Sequence, residues 1–490
     1  MSKIYKGFLF LFSFSIFLFS FNECRAQTSN SDQMPITTSS KNAREKFIKG
    51  RDLIESQRRT EALKYFSDAI KEDPNFAIAY LYRAQTQPAP KEAFADLKKA
   101  NSLSDKVSEA ERLQISGLEA GVNGNSMKQK EDYEKLVSLY PKNARALTLL
   151  GGYYYGQQNY KKALGEYKKA AEADSKYSPV FNMLGYCNSR LMDYNAAEKA
   201  FQKYIQLNPN DPNPYDSYAE LLLKEGKYDK SIENYKKALS LDPHFISSVS
   251  GVAANEMYKG DYNSSREELK KLIDNARNNG EKRTALNLTA VTYIDEGKPE
   301  MALDEIKKEY DMAKKDNDQI SMGNDLTNMG TIQLEMNKSK EALVNFQESL
   351  KAFENSSLTQ KIKENIKLGM LYNESNVAIH ENDFKTASEK AKEYMEGVKA
   401  LNNPNQIRNA HQLYAMIDLA QKKADDCLKE LASANNEDPY NLYRMAVAYQ
   451  MKGNKEKAKE YCEKVINFNT IPGINLAIAR NKAKKLFTKL

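Results

Sequence analysis

Residues 182–212 read NMLGYCNSRLMDYNAAEKAFQKYIQLNPNDP, and residues 216–246 read DSYAELLLKEGKYDKSIENYKKALSLDPHFI. The second stretch repeats landmarks of the first at a constant spacing of 34 residues. Leu184-Gly185 returns as Tyr218-Ala219, Ala197 as Ser231, Phe201 as Tyr235, Tyr204 as Ala238 and Pro209 as Pro243. The same spacing reaches back to Leu150-Gly151, Ala163, Tyr167 and Ala170, and again to Gly117 and Tyr133. An earlier copy holds Gly50, Ala62, Phe66, Ala69 and Pro74. A fixed period of this length means a stack of small units, none of which buries its apolar face alone.

Each unit reads as two short helices. The small residue (Gly151, Gly185, Ala219) lets the second helix cross the first closely, and Ala163 and Ala197 do the same from the other side. Tyr167, Phe201 and Tyr235 are expected to fill the gap toward the next unit. Within a unit the turn carries Gly, Asn or Asp shortly before an aromatic, as in Asn159-Tyr160, Asp193-Tyr194, Gly226-Lys227-Tyr228 and Gly260-Asp261-Tyr262. Glycine there supplies the left-handed cap that stops the first helix. Between units the chain turns at Asp73-Pro74, Tyr140-Pro141, Asn208-Pro209 and Asp242-Pro243, where proline ends one helix and pre-sets the next.

In period and residue pattern the chain resembles the tetratricopeptide repeat family. The resemblance is sharpest over 143–245 and covers nearly everything from about Ala43 onward. Degenerate copies follow at Ala302, at Gly330 with Ala342 and Phe346, at Ala387, at Ala424 and at Gly453 with Ala458. The expected fold is all-α: a right-handed superhelical solenoid of about twelve helix-turn-helix units. The expected segments are an array over 43–280, a more degenerate array over 281–473, and a capping helix over 474–490. Leu476, Ile478, Ala483 and Leu486 are available on that helix to cover the last unit. The period stretches beyond 34 around 321–405, and Asn278-Asn279-Gly280 and Asn402-Asn403-Pro404 are candidate bends.

The resemblance implies that the first helices of the units line a concave groove that holds an extended peptide or partner helix. Residues three before and one after the small landmark, and one turn on, should face it. Around Gly185 these are Asn182, Tyr186 and Arg190, and around Ala219 they are Asp216, Glu220 and Lys224. Around Ala290 they include Asn287 and Asp295, and around Gly330 they are Thr327, Thr331 and Glu335. Asparagine both donates and accepts, so it suits a peptide backbone. Tyrosine adds a rigid apolar contact. The bland alternative is a solvated wall. Chaperone-binding members of the family hold a terminal carboxylate with a Lys/Arg/Asn clamp. Here Asp216 and Glu220 stand at such places and would repel it.

Residues 1–26 read as a secretory signal peptide. Lys3 and Lys6 precede the apolar run Phe8–Phe21, and Cys24-Arg25-Ala26 offers small residues for cleavage after Ala26. Lipid attachment at Cys24 and an uncleaved anchor are the alternatives, and Glu23 fits a lipoprotein signal poorly. Residues 27–42, rich in Ser, Thr, Asn and Gln, read as a flexible linker. The expected location is periplasmic or secreted, with no integral span once the signal is cleaved. The formal charge of +7 becomes +5 when Lys3, Lys6 and Arg25 leave with Glu23 (7 − 3 + 1). The bases are interleaved with acids, as in Glu267-Glu268 before Lys270-Lys271, so a nucleic-acid partner is not expected. The 28 % charged and 41 % hydrophobic content argues against disorder. Trp is absent and Tyr numbers 30, a ring that buries while its hydroxyl stays wet. Cys187, Cys427 and Cys462 form no disulfide framework; a Cys427–Cys462 bridge is the conceivable pair.

No chemistry-bearing motif stands out. His244, His380 and His411 lie at no metal-ligand spacing, so neither metal nor cofactor is expected. Gly151-Gly152 and Gly156 fall on one helix, whereas a phosphate cradle needs loop amides. No nucleophile elbow is present. The expectation is a non-catalytic interaction scaffold of the cell envelope that binds a protein or peptide in its groove. The alternative is a periplasmic small-molecule or glycan-binding, sensory module.

Overall fold

The computed structural model describes residues 33–490. The expected signal peptide lies outside the described residues. Those residues form twenty-five α-helices, one 3-10 turn at Ser104–Lys106 and no strand. Twenty-four of the helices pair in chain order into twelve units. The first four pairs are α1 (Lys41–Glu55) with α2 (Arg59–Glu72), α3 (Ala77–Ala84) with α4 (Pro90–Ser102), α5 (Glu109–Val122) with α6 (Ser126–Leu139), and α7 (Ala144–Gly156) with α8 (Tyr160–Ala173). Next come α9 (Ser178–Arg190) with α10 (Tyr194–Leu207), α11 (Pro212–Lys224) with α12 (Tyr228–Leu241), α13 (Ile246–Lys259) with α14 (Tyr262–Asp274), and α15 (Asn279–Glu296) with α16 (Pro299–Lys315). The last are α17 (Gln319–Glu335) with α18 (Ser339–Glu354), α19 (Gln360–His380) with α20 (Phe384–Ala400), α21 (Pro404–Ala420) with α22 (Ala424–Ser433), and α23 (Pro439–Met451) with α24 (Lys455–Ile466). The twenty-fifth, α25 (Ile474–Phe487), stands alone.

Close packing within a unit follows from the landmark glycines. At Gly50, Gly117, Gly151, Gly185 and Gly330 a Cβ would stand 2.7, 2.3, 2.4, 2.5 and 2.6 Å from the ring of the aromatic sixteen residues on. That is inside contact distance, so any side chain there drives the two helices apart. The ring therefore seats first on its own unit. It also reaches forward: Phe201 clusters with Leu221, and Tyr235 lies against Gly251. Tyr167 and Tyr235 are fully buried, hydroxyls included, and neither hydroxyl has a hydrogen-bond partner among the described residues. The expectation of wet hydroxyls fails for these two, because the ring is gripped from both units.

Eleven of the twelve within-unit turns hold one residue with φ between +58° and +88°. Glycine supplies it at Gly124, Gly226, Gly260, Gly297 and Gly453, but Gln158, Met192 and Lys422 adopt it with a side chain. Asn159 and Asp193 do a different job. Their side chains accept from Lys162 N and Ala196 N and so cap the second helix. Between units, Asp73, Tyr140, Asn208 and Asp242 end their helices immediately before proline. Helices α5 to α14 have 13 or 14 residues, whereas α15 to α21 have 16 to 21. The stretch of the period thus begins at Asn279, earlier than the spacing suggests.

The array winds until it meets itself. Phe94 of α4 packs with Ile320 of α17 and Phe353 of α18, seven units later. Asn365 of α19 donates to the Asn123 carbonyl at 3.2 Å. Of the expected linker, 27–42, residues 33–40 are docked and 41–42 open α1. Thr37 N donates to Glu111 at 2.8 Å, Thr38 Oγ1 donates to Asp73 at 2.6 Å, and Ile36 packs on the first core cluster.

Helix α25 caps the last unit and does more. Ala479, Ala483 and Leu486 pack on Ala446, Cys462 and Val465. Ile474, Ala477 and Ile478 pack on Met257, Tyr258, Ala290, Val291 and Ile294 of α13 and α15. One helix is thus clamped between the end of the array and its middle. Cys187, Cys427 and Cys462 are buried and unpaired, so the conceivable bridge does not form. Burial pushes their thiols up to about 11, about 12 and about 11.

Candidate functional site

Helices α9 and α11 stand side by side as first helices of adjacent units, and they carry six of the eleven expected groove residues. Asn182, Tyr186 and Arg190 recur every fourth residue on α9, and Asp216, Glu220 and Lys224 do so on α11. That spacing puts each trio on one helix face. All six line one cleft of about 600 Å³. Its far wall is the segment Phe468–Ile471, between α24 and α25. A larger, more apolar cleft of about 730 Å³ adjoins it past Arg190 and Lys224. Tyr194, Leu442, Met445 and Tyr449 line this second cleft, with Met192 at its rim, 73 % exposed.

The electrostatics of the first cleft are uneven. Asp216 is 3 % exposed and accepts from Ser248 Oγ at 2.6 Å. Burial holds its carboxyl well above the usual range, and the neighbouring Glu220 adds to the shift. Burial pushes Glu220 up to about 7, against a hydrogen bond from Tyr186. The Tyr186 hydroxyl also lies 3.3 Å from Ser217 Oγ. Burial, helped by the Arg190 charge, brings Lys224 down to about 8, and its ammonium donates to the Ser189 carbonyl at 2.8 Å. Arg190 donates to the Tyr155 hydroxyl at 3.3 Å and faces Glu437 at 3.9 Å. Asn182 is 8 % exposed, and its Oδ1 has no hydrogen-bond partner among the described residues.

Of the remaining five, Asn287, Thr327 and Thr331 do not join this cleft. Asn287 is hydrogen-bonded to Glu309 of α16. Thr327 Oγ1 donates to the Gly323 carbonyl at 3.0 Å and lies 2.8 Å from Ser349 of α18. Thr331 Oγ1 donates to the Thr327 carbonyl at 2.9 Å. A helical threonine can satisfy its hydroxyl on the carbonyl four residues back, which leaves that hydroxyl with a partner inside its own helix. The positions one turn beyond behave as their spacing implies, with an unexpected occupant. Asp295 receives Arg480 Nη1 at 2.9 Å and Lys484 Nζ at 2.9 Å, and Glu335 receives Lys482 at 2.5 Å and the Tyr440 hydroxyl. The occupant of the groove over α13 to α17 is therefore the chain's own C-terminal end.

Sequence reasoning missed Ser248, Ser217, Tyr155 and the segment 468–471. One signal was present for the last. α25 is apolar on more than one side (Leu476, Ala477, Ile478, Ala479, Ala483, Leu486), which marks a helix covered on several faces. Among the described residues no helix is long and apolar enough to cross a membrane, and no three His, Cys, Asp or Glu stand grouped for a metal ion.

Tetratricopeptide repeat models match residues 49–87, 117–178, 178–211, 212–245 and 440–468. The type IV pilus assembly protein PilF of Pseudomonas aeruginosa is 32 % identical over 108 residues, 21 % of this chain and 42 % of that protein. Superkiller complex protein 3 of Homo sapiens is 29 % identical over 140 residues, 27 % of this chain and 9 % of that one. The chain thus spans less than half the length of these curated relatives. A solved tetratricopeptide repeat protein from Parabacteroides merdae superposes over 53 % of this chain and 97 % of its own, at 18 % identity and a TM-score of 0.36. The matched stretches carry tetratricopeptide repeats, and the same helix-pair architecture continues through the described residues between them.

Proposed function

We propose that this protein is a non-catalytic interaction scaffold of the cell envelope, and that the cleft between α9 and α11 holds an extended segment of a partner protein. The observation that carries the reading is the chain's own behaviour on the same face. Residues 467–473 lie non-helical along it, with the Tyr228 hydroxyl donating to Asn469 Oδ1 at 3.1 Å and the Tyr258 hydroxyl donating to the Thr470 carbonyl at 2.6 Å. Tyrosines that grip an amide and a carbonyl are what an extended peptide requires. The next two first helices toward the N-terminus present the same kind of side chains to an open cleft.

Export to the envelope rests on the signal-like residues 1–26. Amino-terminal sequencing of the mature protein with cell fractionation tests it, and a chain that retains Met1 and stays in the cytoplasmic fraction overturns it. Crosslinking with mass spectrometry in the native envelope tests the partner. The expected crosslinks join a foreign protein to residues around the cleft, and wild-type levels of capture by Tyr186→Ala with Asn182→Ala would overturn the site. A second reading, a small ligand or glycan, draws on the cleft's volume, about 600 Å³ and within the range of small-molecule sites. A thermal-shift screen decides it, through saturable stabilisation by one compound class.

A further inference from the structure

The concave face carries four acids at groove-facing places, and they fall into two classes. Asp295 and Glu335 are each met by cations of this chain, Arg480 with Lys484 and Lys482 respectively. Asp216 and Glu220 have no Lys, Arg or His within salt-bridge distance among the described residues. They stand one turn apart on α11, about 6 Å along the helix axis. Across the cleft, Asn182 Oδ1 is a buried acceptor with nothing to accept from. The cleft thus has a surplus of acceptors, three side chains whose oxygens want donors. Bare acceptors cost free energy when buried, and a donor-rich cation removes the cost.

We propose that this cleft takes a cationic side chain, lysine or arginine, from an extended partner segment, with Asn182, Asp216 and Glu220 as its acceptors. The inference rests on the groove reading above and names the chemistry of what the groove holds. The chain already shows the pairing elsewhere on the same face, where its own Arg480, Lys482 and Lys484 fill the equivalent role. Arg190 and Lys224 stand one turn further along α9 and α11 and repel a cation there. They leave one end of the cleft for the basic group and turn the other toward carbonyls, so the bound segment has one direction. Beyond them lies the apolar cleft of Tyr194, Leu442, Met445 and Tyr449, which suits an apolar side chain a few residues from the basic one. The raised carboxyls of Asp216 and Glu220 agree with acids that lack a counter-ion.

The test is selection of a random heptapeptide library on the full-length protein, followed by titration of the winners. The expected winners share one Lys or Arg position. Their dissociation constants rise at least tenfold when that residue is replaced by norleucine, and equally with the doubly substituted Asp216→Asn, Glu220→Gln protein. Winners without a basic position, bound alike by wild type and double variant yet weakened by Tyr186→Ala, overturn the cationic inference and leave the groove reading standing. Winners indifferent to Tyr186→Ala as well, or no enrichment at all, overturn both. Selection of acidic peptides also overturns the inference. The norleucine peptides keep the test decisive even if the double variant misfolds.

Discussion

Two stretches of one concave face make the instructive comparison. Over α15 and α17, Asp295 is buried and Glu335 half-buried against α23 and α25, and they are matched by three cations and two tyrosine hydroxyls. Over α9 and α11, Asp216 is buried and Glu220 half-buried, each with a hydroxyl partner and neither with a cation in salt-bridge distance, although the Arg190 charge acts on Glu220 from farther off. The same kind of residue in the same repeat position is a staple in one place and an unmet demand in the other. A matched buried acid belongs to the fold. An unmatched one lowers stability, and such violations are expected where a protein keeps a site for something else.

The largest effect is expected from breaking the staple. Arg480→Ala leaves Asp295 buried beside a single half-exposed lysine, and it should cost about 3–5 kcal/mol in chemical denaturation. A change under 1 kcal/mol would mean that α25 is held by its apolar contacts alone. Next is the packing that keeps both stretches in line. Gly185→Val, with Phe201 in the way, should destabilise by about 1–3 kcal/mol. Gly165→Ala on α8, where nothing lies within 4 Å, should stabilise by up to about 1 kcal/mol through helix propensity. If both behave alike, the pairing of α9 and α10 is wrong.

The unmet acids should respond with the opposite sign. Folded, Glu220 titrates near 7; unfolded, it returns to about 4.5. Between those values the folded state binds the extra proton, so stability falls as pH rises through the window and the loss is complete above it. Glu220→Gln should therefore raise the melting temperature at pH 8 and leave it unchanged at pH 4. A drop at pH 8 would show that the carboxylate already has a partner. The smallest effect is expected from Lys482→Ala, which removes a partly exposed pair with Glu335 and should cost about 1 kcal/mol or less.

The repeat was legible because its causes are local. Gly185 and Phe201 sit sixteen residues apart in one unit, and Asp242-Pro243 ends a helix with no help from elsewhere. The groove face was legible for the same reason, since helical spacing alone assigns Asn182, Tyr186 and Arg190 to one side. Spacing alone does not tell that the Thr327 and Thr331 hydroxyls are taken up by their own helix, because a side chain this short reaches the carbonyl four residues back. The longer helices from α15 onward blurred the period, since their extra turns add no new landmark.

The helix pairs and the approximate number of units follow from the chain's local pattern, since both are set by contacts within about forty residues. Which stretch of the first helices is covered by the chain's own C-terminal end is a matter of the whole winding. Asp295 and Arg480 are 185 residues apart, Tyr258 and Thr470 are 212 apart, and Phe94 meets Ile320 across the winding of the whole array. Such contacts depend on the accumulated rotation of every unit between them, and no local pattern records it. That winding brings Arg480, Lys482 and Lys484 to two acids of the concave face and leaves Asp216 and Glu220 without a cation.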